Sequence, residues 1–557
     1  MSAECSTRYK LSYIHNPGTE PLLSITLGRA LQNAAEKWSD KIAIISRYEG
    51  ESYTFKQALE KADALAAGLL QFGLKQGDRV AIWGPNSCGW YISRLAVARA
   101  GLIAVQIDPA YRSQQLLHAL NTVEVKVLIC AENLGTTNFY KTVLTLIPEL
   151  NDCPESGVEI NNPKLPALKT LIVISNKQYR GAFRLQDVIV SARPNVIQEI
   201  HHLQELIQPD DDSNIQFTSG STGNPKAALL TNHSLINNSY YVGKRMEFHM
   251  EACITENHSI ISTIQRNRII GAIITGILFG NTIVLPSPVF DAKKALEAII
   301  NERCSHIFAT PSLYKEMIAT KLELDLEITT LRVATCTGAP CTKQLAKNIK
   351  EIFNINRLSV KAVDKEGRMV PMGTPGELWV RGYSVMKQYW NDDERTRQFI
   401  SSDKWAKTGD LFVLRDDGYG RIIGRTKDVI IRIADKIVPS EIEEFFEAHP
   451  DILEAQVKMD TGINIKRNDA SVFNMQVFGV PDPKVGEEVC VYLQPKKEVK
   501  LTEEDIVNYC KDKIADFLIP RYIRFVSDFE KTAVLGKVQK KKLLERLQSE
   551  ISSTNNS

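Results

Sequence analysis

Cysteine is scarce and scattered in this sequence. The 557 residues hold ten, at positions 5, 88, 130, 153, 253, 304, 336, 341, 490 and 510, with no Cys-x-x-Cys pair and no Cys/His spacing of the zinc-site kind. A disulfide-stapled module is excluded, and free thiols in a reducing compartment are expected. Charge of one sign is also missing: 68 Lys and Arg stand against 66 Asp and Glu, a net +2. No nucleic-acid partner bound by bulk charge is expected. Long apolar runs are nearly absent. Residues 269–290 carry no charge over 22 positions, and about 20 would cross a bilayer. Gly271, Gly276, Gly280, Asn281, Pro286 and Pro288 interrupt the run. It therefore reads as a buried helix, IIGAIITGILFG, ended by Gly280 and followed by a buried strand, NTIVLP, with no transmembrane segment.

Targeting signals are equally thin. The opening MSAECSTRYKLSYIHNPG has no apolar core of a secretory signal and is too short and too poor in Arg for a transit peptide. The ending SSTNNS is not a peroxisomal Ser-Lys-Leu, and no lipidation motif is present. A cytoplasmic or mitochondrial location is the expectation.

What is present is the alternation of an α/β protein. Thr54 caps a helical pattern, FKQALEKADALAAGLLQF, that runs to Gly73, and DRVAIWGPN follows as a short buried strand. A helix over 87–100 leads to a second apolar strand, LIAVQID, and the same pattern returns at VKVLIC (125–130) and LKTLIVIS (168–175). Strand, helix, strand at this spacing implies right-handed crossovers and a parallel sheet. Near Gly424 the texture changes to mixed strand and amphipathic helix, so a large N-terminal body of parallel or mixed sheets with helices is expected over 20–424. A smaller α+β domain should follow over 425–557. The lysine-rich KVQKKKLLERLQ (537–548) reads as a solvated helix face.

The segment FTSGSTGNPK (217–226) carries the strongest chemical signal. Hydroxyl residues Thr218, Ser219, Ser221 and Thr222 alternate with Gly220 and Gly223 before Lys226, so that backbone N–H groups and hydroxyls can surround phosphate oxygens while Lys226 supplies charge. It is not a Walker A loop, which needs glycine before the lysine and Ser/Thr after it, where Pro225 and Ala227 stand. AALLTNHSLINN after the loop is expected to open as a helix.

FTSGSTGNPK resembles the phosphate-binding signature of the acyl-adenylate-forming (AMP-binding) superfamily, which includes acyl-CoA synthetases, the adenylation domains of nonribosomal peptide synthetases, and firefly luciferase. The likeness extends along nearly the whole chain. Its segments SYIHNPGTEPLLSITLG, GDRVAIWGPNS, GTPGELWVRGYSVMKQYW, KWAKTGD and GRTKDVIIR look most like medium-chain fatty-acyl-CoA ligases of the acyl-CoA synthetase family member 2 type. The resemblance implies a large body and a small mobile C-terminal domain enclosing the active site. It implies an ATP-dependent fatty acid–CoA ligase that forms an acyl-adenylate, passes the acyl group to CoA, and releases AMP and pyrophosphate. Fatty acid, ATP and CoA are then the small-molecule substrates, with magnesium accompanying the nucleotide. By position in these motifs, Asp410 corresponds to the carboxylate on the ATP ribose hydroxyls, Arg425 to an arginine that holds the nucleotide, and Lys427 to the hinge. Gly338, Ala339 and Pro340 correspond to a segment lining the adenine pocket. Lys537, in VLGKVQK, corresponds to the C-terminal catalytic lysine, with Leu535 where a serine is usual.

The implied chemistry is one of charge. A fatty carboxylate is already ionised at neutral pH, so its attack on the α-phosphate needs no general base. The need is to neutralise phosphoryl oxygens, a task for N–H donors, Lys226 and Lys537.

The sequence also departs from the family pattern. The Tyr-Gly-x-Thr-Glu motif, whose threonine contacts phosphate and whose glutamate helps hold magnesium, is absent: NIKEIFNINRLS runs directly into VKAVDKEGRMVPMGTPGELW, as if a segment were missing at 358–360. Metal ligands are accordingly unassigned. Ala227 replaces the usual glycine, a change that matters if that residue needs positive φ. Ile433 and Ala434 stand where paired glycines border the pantetheine tunnel, and ENHSIISTIQRNR (256–268) lacks the aromatic-His stretch beside the acyl site, leaving His258 as a stand-in or a surface histidine. KMDTGINIKRNDASVFNM (458–475) is an insertion. Two readings stay open: an acyl-CoA ligase, or a catalytically impaired or non-catalytic relative that only binds nucleotide or acyl ligands.

Overall fold

The structure, a computed structural model, describes residues 12, 20–218, 225–246, 248, 259–262, 269–336, 370, 372–415, 420–432, 435–437, 439–446, 476–482, 486–495, 501–511, 513–527 and 540–555. Two sheets organise the first part of the chain. The larger has eight strands in the order Gln388–Tyr389, Lys226–Thr231, Asp212–Thr218, Ile103–Ile107, Arg79–Trp83, Val127–Ala131, Thr170–Ile174 and Phe183–Arg184. From Asp212–Thr218 to Phe183–Arg184 every pairing is parallel; Lys226–Thr231 runs against these strands, and Gln388–Tyr389, antiparallel to Lys226–Thr231, returns to their direction.

A second sheet of six strands runs Val333–Cys336, His306–Ala309, Ser259–Ser262, Thr282–Leu285, Ile42–Ser46 and Glu51–Thr54, parallel but for the last pairing. Helices join the two. The helices Leu27–Lys37, Phe55–Gln71, Cys88–Arg99 and Ile269–Phe279 share one core with Val80, Ile82 and Ala104 of the larger sheet and with Ala43, Ile44 and Ile283 of the smaller. Ala81 and Trp83, which alternate with Val80 and Ile82, enter a second core on the opposite face. Burial on both faces explains why these strands read as unbroken apolar runs rather than as alternating ones.

Local signals set several boundaries. Thr54 accepts from Gln57 N while the Gln57 side chain accepts from Thr54 N, a reciprocal cap that starts the helix Phe55–Gln71. Ser87 caps Cys88–Arg99 in the same sense through Trp90 N. The apolar run at 269 resolves into the helix Ile269–Phe279 and the strand Thr282–Leu285, with Gly280 at φ 68° between them. Trp38 lies against that glycine, where a Cβ would meet its ring at 2.6 Å. Among the described residues no helix is long and apolar enough to cross a membrane.

One expectation is corrected. The residues after the phosphate-loop signature do not open as a helix: Lys226–Thr231 is a strand, antiparallel to Asp212–Thr218, and the helix Asn232–Arg245 begins only after Thr231 accepts from Ser234 N. Ala and Leu favour helices intrinsically, but strands on both sides claim this backbone. Ala228 pairs with Gln216 and Tyr389, and Leu229 with Ile215 and Gln388.

Further along, Pro375–Val380, Ala406–Leu414 and Gly420–Arg425 form a three-stranded antiparallel sheet. After a single 3-10 turn, Thr426–Asp428, the chain enters a different sheet. There Ile430–Arg432 joins Asp435–Ile437, Gly486–Leu493, Gln476–Asp482 and Tyr522–Phe525. Val477, Val489 and Val491 pack on one face with Ile442, Phe446 and Ile506, while Phe478, Cys490 and Tyr492 pack on the other with Leu543 and Leu547 of the helix Lys540–Asn555. Lys542, Glu545 and Arg546 of that helix lie at the surface, consistent with a solvated face.

Candidate active site

The loop signature lies at the end of a β-hairpin. Phe217 pairs with Ala227 and Thr218 with Lys226, so the two ends of FTSGSTGNPK are held in register by the strands that enter and leave it. The residues that directly follow the signature form a strand, so no helix terminus adjoins it there. Lys226 is half-buried, and its ammonium sits 5.3 Å from the centroid of the Tyr389 ring, within cation–π range. Among the described residues it has no carboxylate partner. Tyr389 is 9% exposed, and burial, reinforced by Asp392, raises its hydroxyl pKa. Its backbone N–H donates to Thr396 Oγ1 at 2.9 Å, while Trp390 N donates to Ala227 O at 2.8 Å. Ala227 itself is buried in the extended strand and is not among the residues with positive φ. The side chain that replaces glycine here thus carries no backbone strain.

Asp410 and Arg425 form the second element. They are register partners on Ala406–Leu414 and Gly420–Arg425, and Arg425 Nε donates to Asp410 Oδ1 at 2.9 Å. Asp410 is 22% exposed and Arg425 56%, which leaves both accessible to a ligand. Directly before Asp410, Gly409 has φ 72°, a left-handed residue inside a strand. Its N–H donates to Glu377 Oε1 at 3.0 Å, and Trp379 Nε1 donates to Glu377 Oε2 at the same distance. Asp410 N donates to Thr408 Oγ1 at 3.1 Å, and the Thr408 hydroxyl donates to Leu378 O at 2.8 Å. From the far side the Thr426 hydroxyl donates to Gly409 O at 3.1 Å.

The structure thus brings Asp410 to Arg425 and Thr218 to Lys226. The stretch 375–389 serves both pairs: Pro375–Val380 flanks the Asp410 strand, and Gln388–Tyr389 flanks the Lys226 strand. Lys427 lies on the 3-10 turn between the two later sheets. Ser219, Gly220, Ser221, Thr222, Gly223, Gly338, Ala339, Pro340 and Lys537 lie outside the described residues, as do His258, Ile433, Ala434, residues 458–475 and the junction at 358–360. Glu377, Thr408 and Tyr389 were not legible as site residues. Each sits inside a quoted motif, yet its contact is made with a residue distant in sequence or by a left-handed glycine that no residue pattern announces.

Residues 31–360 match the family described as "AMP-binding enzyme", and residues 466–535 match "AMP-binding enzyme C-terminal domain". The first match stops where the sequence reading places a missing segment. A relative named "Medium-chain acyl-CoA ligase ACSF2, mitochondrial" from Danio rerio is 34% identical over 97% of this chain and 91% of its own length. The protein of the same name from Macaca fascicularis is 32% identical over 97% and 90%. Among solved structures, the anthranilate CoA ligase AuaEII in complex with anthranoyl-AMP shares the fold, with a TM-score of 0.76, 20% identity, and coverage of 96% of this chain and 99% of its own.

Proposed function

This chain belongs to the family of AMP-binding enzymes, and from that premise we propose the reaction and the residues that carry it. The protein is an acyl-CoA synthetase: it joins a fatty acid to CoA at the expense of ATP, through an acyl-adenylate, with release of AMP and pyrophosphate. ATP, CoA and the acid are its small-molecule substrates. The name shared by the ACSF2 relatives points to a medium-chain acid and to a mitochondrial setting.

The observation that carries the reading is the hairpin that ends in Lys226, a half-buried ammonium with no carboxylate partner among the described residues. An ion-paired lysine would have its charge spent, whereas an aromatic ring restrains Lys226 without neutralising it. Its charge is left for phosphate oxygens. In this reading Thr218, Ser219, Gly220, Ser221, Thr222 and Gly223 supply hydroxyls and N–H groups to the phosphates. Asp410 accepts from the ribose hydroxyls, Arg425 holds the nucleotide beside it, and Gly338, Ala339 and Pro340 line the adenine. Lys537 is the second catalytic cation. The fatty carboxylate needs no base, so these groups act by neutralising charge that builds on the transferring phosphoryl group.

The domains of this reading are 20–424 and 425–557, with Lys427 as hinge. The change of sheet between Arg425 and Ile430 supports that division. Among the described residues no group of three or more His, Cys, Asp or Glu can hold a metal. In this reading magnesium accompanies the triphosphate, whose oxygens are its natural ligands, and no step is assigned to it.

The test is fatty-acid-dependent exchange of pyrophosphate into ATP, measured for this chain and for a version with the absent Tyr-Gly-x-Thr-Glu segment restored from a related ligase. Exchange is expected from both, slower in the shorter chain by two or more orders of magnitude. Losing a phosphate contact and a metal contact costs a few kcal/mol, and about 1.4 kcal/mol is tenfold in rate. Absence of exchange from both folded proteins, across short, medium and long acids, refutes the ligase reading. Equal rates refute the claim that the missing segment matters.

A further inference from the structure

We infer that Glu377 is a positioning residue for recognition of the nucleotide's sugar, acting through the Thr408-Gly409-Asp410 turn; the inference rests on the reading that Asp410 receives the ribose hydroxyls. A carboxylate on a strand is aimed by the backbone just before it. Here that backbone leaves the extended course, because Gly409 is left-handed at φ 72°. Such a residue rotates its peptide groups out of the regular ladder, and the register against Pro375–Val380 shifts between Glu377 and Trp379 at this level. The freed polar groups must find other partners.

All three that bracket the turn are taken by side chains. Glu377 Oε1 receives Gly409 N–H at 3.0 Å, Thr408 Oγ1 receives Asp410 N–H at 3.1 Å, and the Thr426 hydroxyl donates to Gly409 O at 3.1 Å. Only Glu377 among these acceptors and donors is charged, and hydrogen bonds to an ionised partner are roughly twice as strong as neutral ones. Its other oxygen is fixed as well, by Trp379 Nε1 at 3.0 Å. Glu377 is therefore anchored at both oxygens while it holds the peptide that aims Asp410. Among the described residues Glu377 makes no ion pair with Arg425, which pairs instead with Asp410. Its effect on the nucleotide should be confined to the groups Asp410 reads.

The experiment measures equilibrium affinity of the full chain for ATP and for 2′,3′-dideoxy-ATP, which lacks the ribose hydroxyls, so that turnover is not required. The readout is the ratio of the two dissociation constants, which a general loss of stability does not change. Glu377→Ala should lower the preference for ATP about tenfold, while Glu377→Gln, which keeps an acceptor for Gly409 N–H, should lower it only about threefold. Asp410→Ala serves as reference and should abolish the preference. If Asp410→Ala abolishes it and both Glu377 variants keep the wild-type ratio, the inference is overturned and the Asp410 reading stands. If Asp410→Ala itself leaves the ratio unchanged, the ribose reading has failed and the inference falls with it. Should Glu377→Ala not fold, the drop expected for Glu377→Gln decides the matter.

Discussion

Two arginines on one helix should respond to the same substitution with opposite signs. Arg94 and Arg99 lie five positions apart on Cys88–Arg99, about 140° around the axis, and both are buried, at 0% and 1% exposure. Arg99 is fully engaged. Its Nε and Nη2 donate to the Asp63 carboxylate at 2.5 and 3.0 Å, and Nη1 donates to Gly28 O at 3.1 Å. Arg94 has three guanidinium nitrogens and, among the described residues, no hydrogen-bond partner for any of them. Burial alone lowers its pKa to about 10, well below the ordinary value of a guanidinium. A base whose folded pKa lies below its unfolded value opposes folding while it is charged. The penalty is therefore full below about pH 10 and is relieved only above it, and its size is about 3 kcal/mol.

Arg94→Met removes the guanidinium and keeps an unbranched apolar stem of similar reach. It should stabilise the fold by about 2–4 kcal/mol at neutral pH, the range seen when buried charge is exchanged for packing. Arg99→Met should destabilise it by about 3–5 kcal/mol, because Asp63, 4% exposed, is left among the described residues with His201 alone, at 3.1 Å on its solvent side. Urea unfolding followed by tryptophan fluorescence, with the two variants and the parent compared at a common slope, measures both. A loss of more than about 1 kcal/mol from Arg94→Met would show that the guanidinium has a partner in solution and would refute the reasoning.

Two further substitutions bear on the site. Ala227→Gly should not improve catalysis, since Ala227 is extended and buried in its strand. It should cost about 1–2 kcal/mol through a lost methyl and added chain entropy, so a rise in exchange rate or no shift in the urea midpoint contradicts the strand geometry. If Lys537 holds the proposed role, Lys537→Ala should lose adenylate formation yet still convert supplied acyl-adenylate and CoA to thioester, because a cation that serves the phosphoryl transition state is not needed for the second step. Equal loss in both half-reactions would contradict that assignment.

Much of this protein was determined by residues near one another in the chain. The reciprocal cap of Thr54 and Gln57, the cap at Ser87, and Gly280 at the end of an apolar helix are contacts within one turn, so the residue pattern announces them. The parallel sheet followed from the length of the crossovers, since chain reach and handedness leave few ways to return. The FTSGSTGNPK segment stood out because its hydroxyls, glycines and lysine are neighbours in the chain, and Asp410 and Arg425 were named from their motifs, whereas the left-handed turn at Gly409 was announced by neither.

Tertiary structure decided the rest, wherever a group's partner comes from far along the chain. Lys226–Thr231 has helix-favouring residues and becomes a strand because Asp212–Thr218 and, some 160 residues later, Gln388–Tyr389 supply hydrogen bonds on both edges. Whether Ala227 bears strain, why Arg99 is paired and Arg94 is not, and how Glu377 comes to hold Gly409 are likewise questions of distant partners. Periodicity records which side of an element is buried. It carries no record of which atom waits on the other side, and in a low-dielectric interior that atom sets the energy of a charge.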